Sequence, residues 1–297
     1  MQRIVPHAWC NRTNAAAAEL YCAALPNTSV INTLHYPTTG LPEFQESFAG
    51  EPVVTELDIA GFKFALINAG DTYRPTPALN LMLNFDPANS PAAEEQLRHA
   101  WKTFMQAGAT ELMPLGEYAF SPLYAWVEDP YGVSWQLMLT NPQGEPRPFV
   151  IPSFLFGGPA QNQAQRAIET YLRVFPDSQM GTLVPWAEAT GPAEEGSVLF
   201  ADFQLCGQWF TAMDSGAETE FTFTPGMSLM LLCETQEEID AAWEQLSAVP
   251  EAEQCGWLID EFGVSWQIAP AQYHQLLEKP GAFTNMMQMK KLIIDKF

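Results

Sequence analysis

Basic residues are scarce in this chain: 13 Lys and Arg stand against 35 Asp and Glu, a formal net charge of −22. Such a surface repels phosphate backbones and anionic headgroups, so neither nucleic acid nor a membrane is expected as a partner. Solubility accounts for most of that charge, which therefore carries no information about a substrate. Cysteine is sparse too, five residues with no CxxC spacing. The count predicts reduced thiols in the cytoplasm rather than a disulfide framework. No apolar run approaches the roughly 20 residues that cross a bilayer. The opening MQRIVPHAW lacks the apolar core of a signal peptide. GxSxG, HExxH and GxGxxG do not occur, which removes the motifs for a nucleophile elbow, a zincin and a dinucleotide loop.

What the chain does have is a repeat. GVSWQ is spelled from Gly132 and again from Gly263, each time three residues after an aspartate, Asp129 and Asp260. Working backwards, LNLMLNFD at 79–86 resembles MSLMLLCE at 227–234, and GFKFALINAG at 61–70 matches GQWFTAMDSG at 207–216. ELYCAALPNTSV at 19–30 matches ETYLRVFPDSQM at 169–180, with Tyr21 over Tyr171. The offset shrinks toward the end, so the second copy is shorter between its last helix and last strand.

Two homologous halves follow: residues 1–141, a Pro-rich linker at 142–148, residues 149–272, and a helical tail at 273–297. Apolar stripes at helical spacing, such as Leu97, Ala100, Trp101 and Phe104, alternate with strand patterns in a fixed order. Thr235 and Glu238 stand at capping-box spacing before the last of these helices. The fold class is α+β, built of four βαβββ modules with the fourth shortened. Gly132 and Gly263 are expected to close tight turns, and Trp135 and Trp266 to fill the layer between helices and sheet.

PHAWCN, AELY, LPNT, LINAG and above all CGWLIDEFGVSWQIAP resemble the PhnB-like branch of the vicinal oxygen chelate superfamily. That superfamily contains glyoxalases, extradiol dioxygenases and bleomycin-resistance proteins, and the branch carries the label 3-demethylubiquinone-9 3-methyltransferase. The resemblance implies two glyoxalase-like open half-barrel domains, whose cups can hold a divalent metal between first and last strands. Carried onto this sequence, the metal positions are His7, Leu66 or Ala65, Asn80 and Gln136 in the first half. In the second they are Ser153, Ala212, Ser228 and Gln267. Only His7 is a strong ligand among them, so no metal and no cofactor is expected.

His7 is the one candidate for an acid or base, and the first half is the expected home of any site. A ligand pocket is expected around Trp9, Phe62 or Phe64, Asn80, Met82, Gln136 and Met138, with Ser153, Ser228 and Gln267 as second-half equivalents. His274 is expected to face solvent. The functional expectation is a metal-free cup that binds a small apolar or aromatic molecule. The alternatives are a metal-dependent lyase, isomerase or dioxygenase, and the methyl transfer of the family label, for which no cofactor motif is present. A homodimer is compatible with the sequence. Whether the cups form within or between the halves is left open.

Overall fold

A computed structural model describes residues 2–297. The first module runs β1 (Ile4–Cys10), α1 (Asn14–Ala24), β2 (Thr28–His35), β3 (Pro52–Ile59) and β4 (Phe62–Asn68). The second runs β5 (Leu79–Phe85), α2 (Ala93–Gln106), β6 (Thr110–Tyr118), β7 (Ser121–Glu128) and β8 (Ser134–Leu139). The third repeats the order as β9 (Val150–Phe156), α3 (Ala164–Val174), β10 (Gln179–Pro185), β11 (Val198–Leu205) and β12 (Gln208–Asp214). The fourth has β13 (Met227–Cys233), α4 (Gln236–Leu246), β14 (Trp257–Ile259) and β15 (Ser265–Pro270), one strand fewer, followed by α5 (Tyr273–Leu277) and α6 (Ala282–Met287).

The strands join across the halves. One sheet has seven strands in the order β14-β15-β13-β1-β4-β3-β2, and the other eight in the order β10-β11-β12-β9-β5-β8-β7-β6. The seam of the first is the antiparallel pair β1 and β13, and that of the second is β5 and β9. The cups therefore form between modules one and four, and between modules two and three. Helices pack the other way, α1 against α2 and α3 against α4. Each half is thus a helix layer between two sheets, and each sheet is a joint between the halves.

The duplicated motif sits at the centre of that arrangement. Trp135 is fully buried between Tyr21 of α1 at 4.9 Å, Phe104 of α2 at 5.6 Å and Phe64 of β4 at 5.9 Å. Trp266 packs likewise on Tyr171 at 5.4 Å and Phe175 at 4.9 Å. Each indole N–H donates to the motif's aspartate at 2.9 Å. That carboxylate also accepts two backbone N–H groups of its own turn, Tyr131 and Val133 for Asp129, Phe262 and Val264 for Asp260. The turn needs a left-handed residue, which Gly132 (φ 91°) and Gly263 (φ 88°) supply without a Cβ penalty. GVSWQ is repeated because it is the pin of each half's core.

Elsewhere the local rules hold. The Thr235 hydroxyl accepts the Glu238 N–H at 3.3 Å, and the Glu238 carboxylate accepts the N–H of Glu234 at 2.9 Å, so the first turn of α4 is capped from both sides. The tail folds back on the shortened module, where Met289 and Lys290 carbonyls accept the N–H groups of Cys255 and Gly256. All five cysteines are free. No helix among the described residues is long and apolar enough to cross a membrane.

Candidate functional site

Strand alternation decides which side chains reach each cup. On β1, Ile4, Ala8 and Cys10 join the helix-side core, while Val5 packs with Val54 and Ala65 on the opposite, concave face. His7 and Trp9 share the face of Val5. In register, His7 stands beside Ala65 on β4 and Ser228 on β13. Ser228 stands beside Ser265 on β15 and accepts a hydrogen bond from Gln267 Nε2 at 2.9 Å. The floor of the first cup is therefore His7, Ala65, Ser228, Ser265 and Gln267.

The second cup has a different floor. Asn80 of β5 pairs with Ser153 of β9, which pairs with Thr211 of β12. Gln136 donates to Asn80 Oδ1 at 2.8 Å and accepts from the Tyr124 hydroxyl at 2.7 Å. Its amide is thus occupied on both sides.

The residues assigned from sequence to one pocket are consequently split. His7 and Trp9 lie in the first cup with Ser228 and Gln267 of the other half, whereas Asn80, Met82, Gln136 and Met138 lie in the second cup with Ser153. The regrouping follows from the β1–β13 and β5–β9 seams, which the repeat alone does not specify. Two residues also fall on the wrong side of their strands for a ligand. Leu66 and Ala212 are fully buried under the helices, and their neighbours Ala65 and Thr211 occupy the concave positions. Phe62 and Phe64 likewise pack in the helix layer rather than in the cup.

The concave face of β3 carries a group that the sequence reading passed over. Glu56 pairs with Ala65 and so lies on the same row as His7. It accepts hydrogen bonds from Asn32 Nδ2 at 2.9 Å and from His274 Nε2 at 3.1 Å. Burial pushes its carboxyl up, but these bonds and the two nearby imidazoles outweigh it and hold the pKa at about 2. A glutamate at an inward position of the strand pattern PVVTELDI was the available signal. His274 is not a free surface residue: it ties the tail to Glu56 across the first cup.

His7 is a different kind of group. It is buried, and its Nδ1 lies 3.0 Å from the Val5 carbonyl, which places the hydrogen on Nδ1 and a lone pair on Nε2. Burial brings its pKa down to about 4, against the Val5 bond that would raise it. The imidazole is neutral at physiological pH. A metal of the kind this architecture can carry would need further anionic or imidazole donors beside it. The flanking positions offer a methyl group (Ala65), a hydroxyl (Ser228) and an amide already hydrogen-bonded to that hydroxyl (Gln267), which do not fit a divalent cation. Among the described residues, no three of His, Cys, Asp and Glu cluster as ligands.

The first cup opens into a cavity of about 610 Å³ whose wall is mostly apolar. Trp9 lines it, edge-on to Tyr73 at 5.1 Å and to Trp257 at 5.9 Å, with its indole N–H fixed on the Gly70 carbonyl at 2.8 Å. Met230 comes from β13, and the tail contributes Tyr273, Phe283 and Met286. Three segments distant in sequence therefore make one pocket: the first module, the fourth module and the tail.

The sequence matches the profile of the 3-demethylubiquinone-9 3-methyltransferase family over residues 2–138 and again over 148–269. The chain belongs to that family. The double match shows that both halves are family units. Among solved structures, a PhnB protein from Bacillus cereus is 25% identical, covering 47% of this chain and all (100%) of that one with a TM-score of 0.40. Glyoxalase I from Zea mays covers more, 92% of this chain and 95% of its own at 11% identity, with a TM-score of 0.51. The latter likeness shows the fold: this chain has the architecture of glyoxalase I. No functionally curated protein matches the chain.

Proposed function

We propose that this protein binds a small, largely aromatic molecule in the first cup, without a metal ion. The observation that carries the reading is the cavity of about 610 Å³ walled by Trp9, Tyr73, Trp257, Met230 and Phe283. Its size is that of a small-molecule site, and its few polar groups sit among aromatic and apolar walls. The floor supports binding over metal chemistry, since the only imidazole there has no partner ligands. Methyl transfer, which the family name describes, needs a bound methyl donor. The cavity wall contains no glycine-rich turn of the sort that cradles a nucleoside cofactor. Five free cysteines fit a reducing, cytoplasmic setting for such a binder.

The test uses N-phenyl-1-naphthylamine, a neutral aromatic dye whose emission rises in apolar surroundings. It should bind one equivalent per chain, and Trp9→Ala should weaken it by about tenfold, the ~1.4 kcal/mol expected for an aromatic wall. Dye uptake that is absent, or unchanged in Trp9→Ala, would refute the proposal.

A further inference from the structure

Phe44 is the most exposed large apolar side chain among the described residues, at 70%, and it lines the cavity. Tyr73, 42% exposed, lines it too, whereas the other large apolar side chains left in water lie elsewhere. A lining ring that stands mostly in solvent belongs to the mouth. One exposed phenylalanine is ordinary on a protein surface. What sets Phe44 apart is the segment that carries it.

That segment is the loop 37–50 between β2 and β3, closed by the Tyr36 N–H on the Glu51 carbonyl at 2.9 Å. Its far end is fastened. Arg12 Nη2 donates to the Ser47 carbonyl at 2.7 Å, and the guanidinium lies 4.7 Å over the Phe48 ring, which packs on Tyr36 at 5.6 Å. The Phe44 end is not fastened. Among the described residues, the backbone of Glu43–Glu46 bonds only inside its own loop, the Gln45 N–H to the Pro42 carbonyl and the Ala49 N–H to the Glu46 carbonyl. No residue of the Glu43–Phe48 turn is buried. Segments with so few ties have low local stability, and the loops that close on ligands are drawn from them.

The third module offers the comparison. Its loop 187–196 is closed in the same way, by the Trp186 N–H on the Ser197 carbonyl at 2.8 Å. Trp186 sends its indole N–H to the Asp214 carbonyl as Tyr36 sends its hydroxyl to that of Asn68. The sequence of this loop, AEATGPAEEG, holds no aromatic residue, where PTTGLPEFQESFAG holds Phe44 and Phe48. The unfastened ring is present on the loop that borders the cavity and missing from its duplicate.

Resting on the binding reading above, we infer that Phe44 is a ligand-contacting residue of the first cup: the Glu43–Glu46 turn folds its ring over the outer edge of the bound molecule and closes the mouth. Ring and ligand then leave water together, which is the stabilisation that the exposed ring forgoes in the empty protein. The closed turn holds the ligand in, because the mouth reopens only when the turn lifts.

The test follows N-phenyl-1-naphthylamine on the full chain by stopped flow and by millisecond hydrogen exchange. In Phe44→Ala the dye should dissociate about tenfold faster, while the urea midpoint stays where it is, since a ring in solvent adds little to the fold. Phe44→Tyr keeps the ring and should restore slow dissociation. Bound dye should slow exchange of the amides of residues 43–48 in the native chain and leave them unchanged in Phe44→Ala. Dissociation at the native rate in Phe44→Ala, or exchange in 43–48 that ignores the dye in the native chain, would overturn the role of Phe44 and leave the aromatic cavity standing. A native chain that takes up no dye would overturn the binding reading and this inference with it.

Discussion

In the first cup the third strand of the leading module carries Glu56; in the second the equivalent strand carries Asp202. The registers make them counterparts, since Glu56 pairs with Ala65 beside His7, and Asp202 pairs with Thr211 beside Ser153. Each is met by a cation-capable side chain from a segment outside the modules. Linker residue Arg147 holds Asp202 with two hydrogen bonds, of 2.9 and 3.1 Å, and stacks 4.0 Å over the Trp209 ring. Tail residue His274 holds Glu56 with one, at 3.1 Å. Arg147 is 20% exposed and permanently charged, whereas His274 is 44% exposed and titratable. One cup is pinned by a fixed ion pair. The other keeps a cavity under a lighter, conditional latch. Duplication supplied the same scaffold twice, and the segments added outside it decide how firmly each cup is held.

The largest effect should fall on what the halves have in common. Trp135→Ala and Trp266→Ala each remove a fully buried indole, and each should cost about 3–5 kcal/mol in urea unfolding. A loss under about 1 kcal/mol in either would show that the two motifs do not play the same part.

Next comes the pH response of the motif aspartates. Burial raises Asp129 and Asp260 to about 6, although their hydrogen bonds from Trp135, Trp266 and the turn amides pull the other way. The folded state thus holds protons that an unfolded aspartate, with its pKa near 3.8, has released. The stability from this source is complete below pH ~4 and is lost as pH rises through ~6, by at most about 3 kcal/mol per residue. Denaturant midpoints measured between pH 4 and 7 should fall less steeply in Asp129→Asn and Asp260→Asn than in the native chain, and by similar amounts. A slope unchanged in both variants would refute the assignment.

How much of this could be read beforehand differs by level. The four modules, the missing strand of the fourth and the buried indoles follow from periodicity and from the repeated GVSWQ, because local pattern encodes local structure. Which strand edges meet does not. His7 and Asn80 were grouped because they share a half, but the β1–β13 seam gives His7 to Ser228 instead. Seams are tertiary choices made by matching edges far apart in sequence, and a tandem repeat offers two consistent solutions. The tail shows the same limit: nothing in QYHQLLE reveals that His274 reaches a glutamate 218 positions earlier.

The plugs should then split the cups. Arg147→Ala leaves Asp202, 6% exposed, without its cationic partner and should cost about 2–3 kcal/mol, because a buried carboxylate loses charge-assisted bonds. Dye binding in the first cup should be unaffected. Weakened dye binding would mean that the two cups are coupled and that the linker serves both.

His274→Ala is the mildest change, under about 1 kcal/mol at neutral pH, since the pair is half-exposed and solvent screens it. Its signature lies at low pH. Glu56 titrates at about 2 in the folded chain, below its ordinary value of 4.5, so its contribution to stability is present above that ordinary value and fades as pH falls toward 2. Without His274 the carboxyl should titrate higher, so the variant has less of this stability to lose in acid, visible as a gap between variant and native chain that narrows from pH 6 to pH 3. Hydrogen exchange should quicken at the same time in residues 273–287 and leave the second cup unchanged. If the gap stays constant with pH, the imidazole is not what holds Glu56 ionised, and the contrast between a fixed and a conditional latch fails at its weaker end.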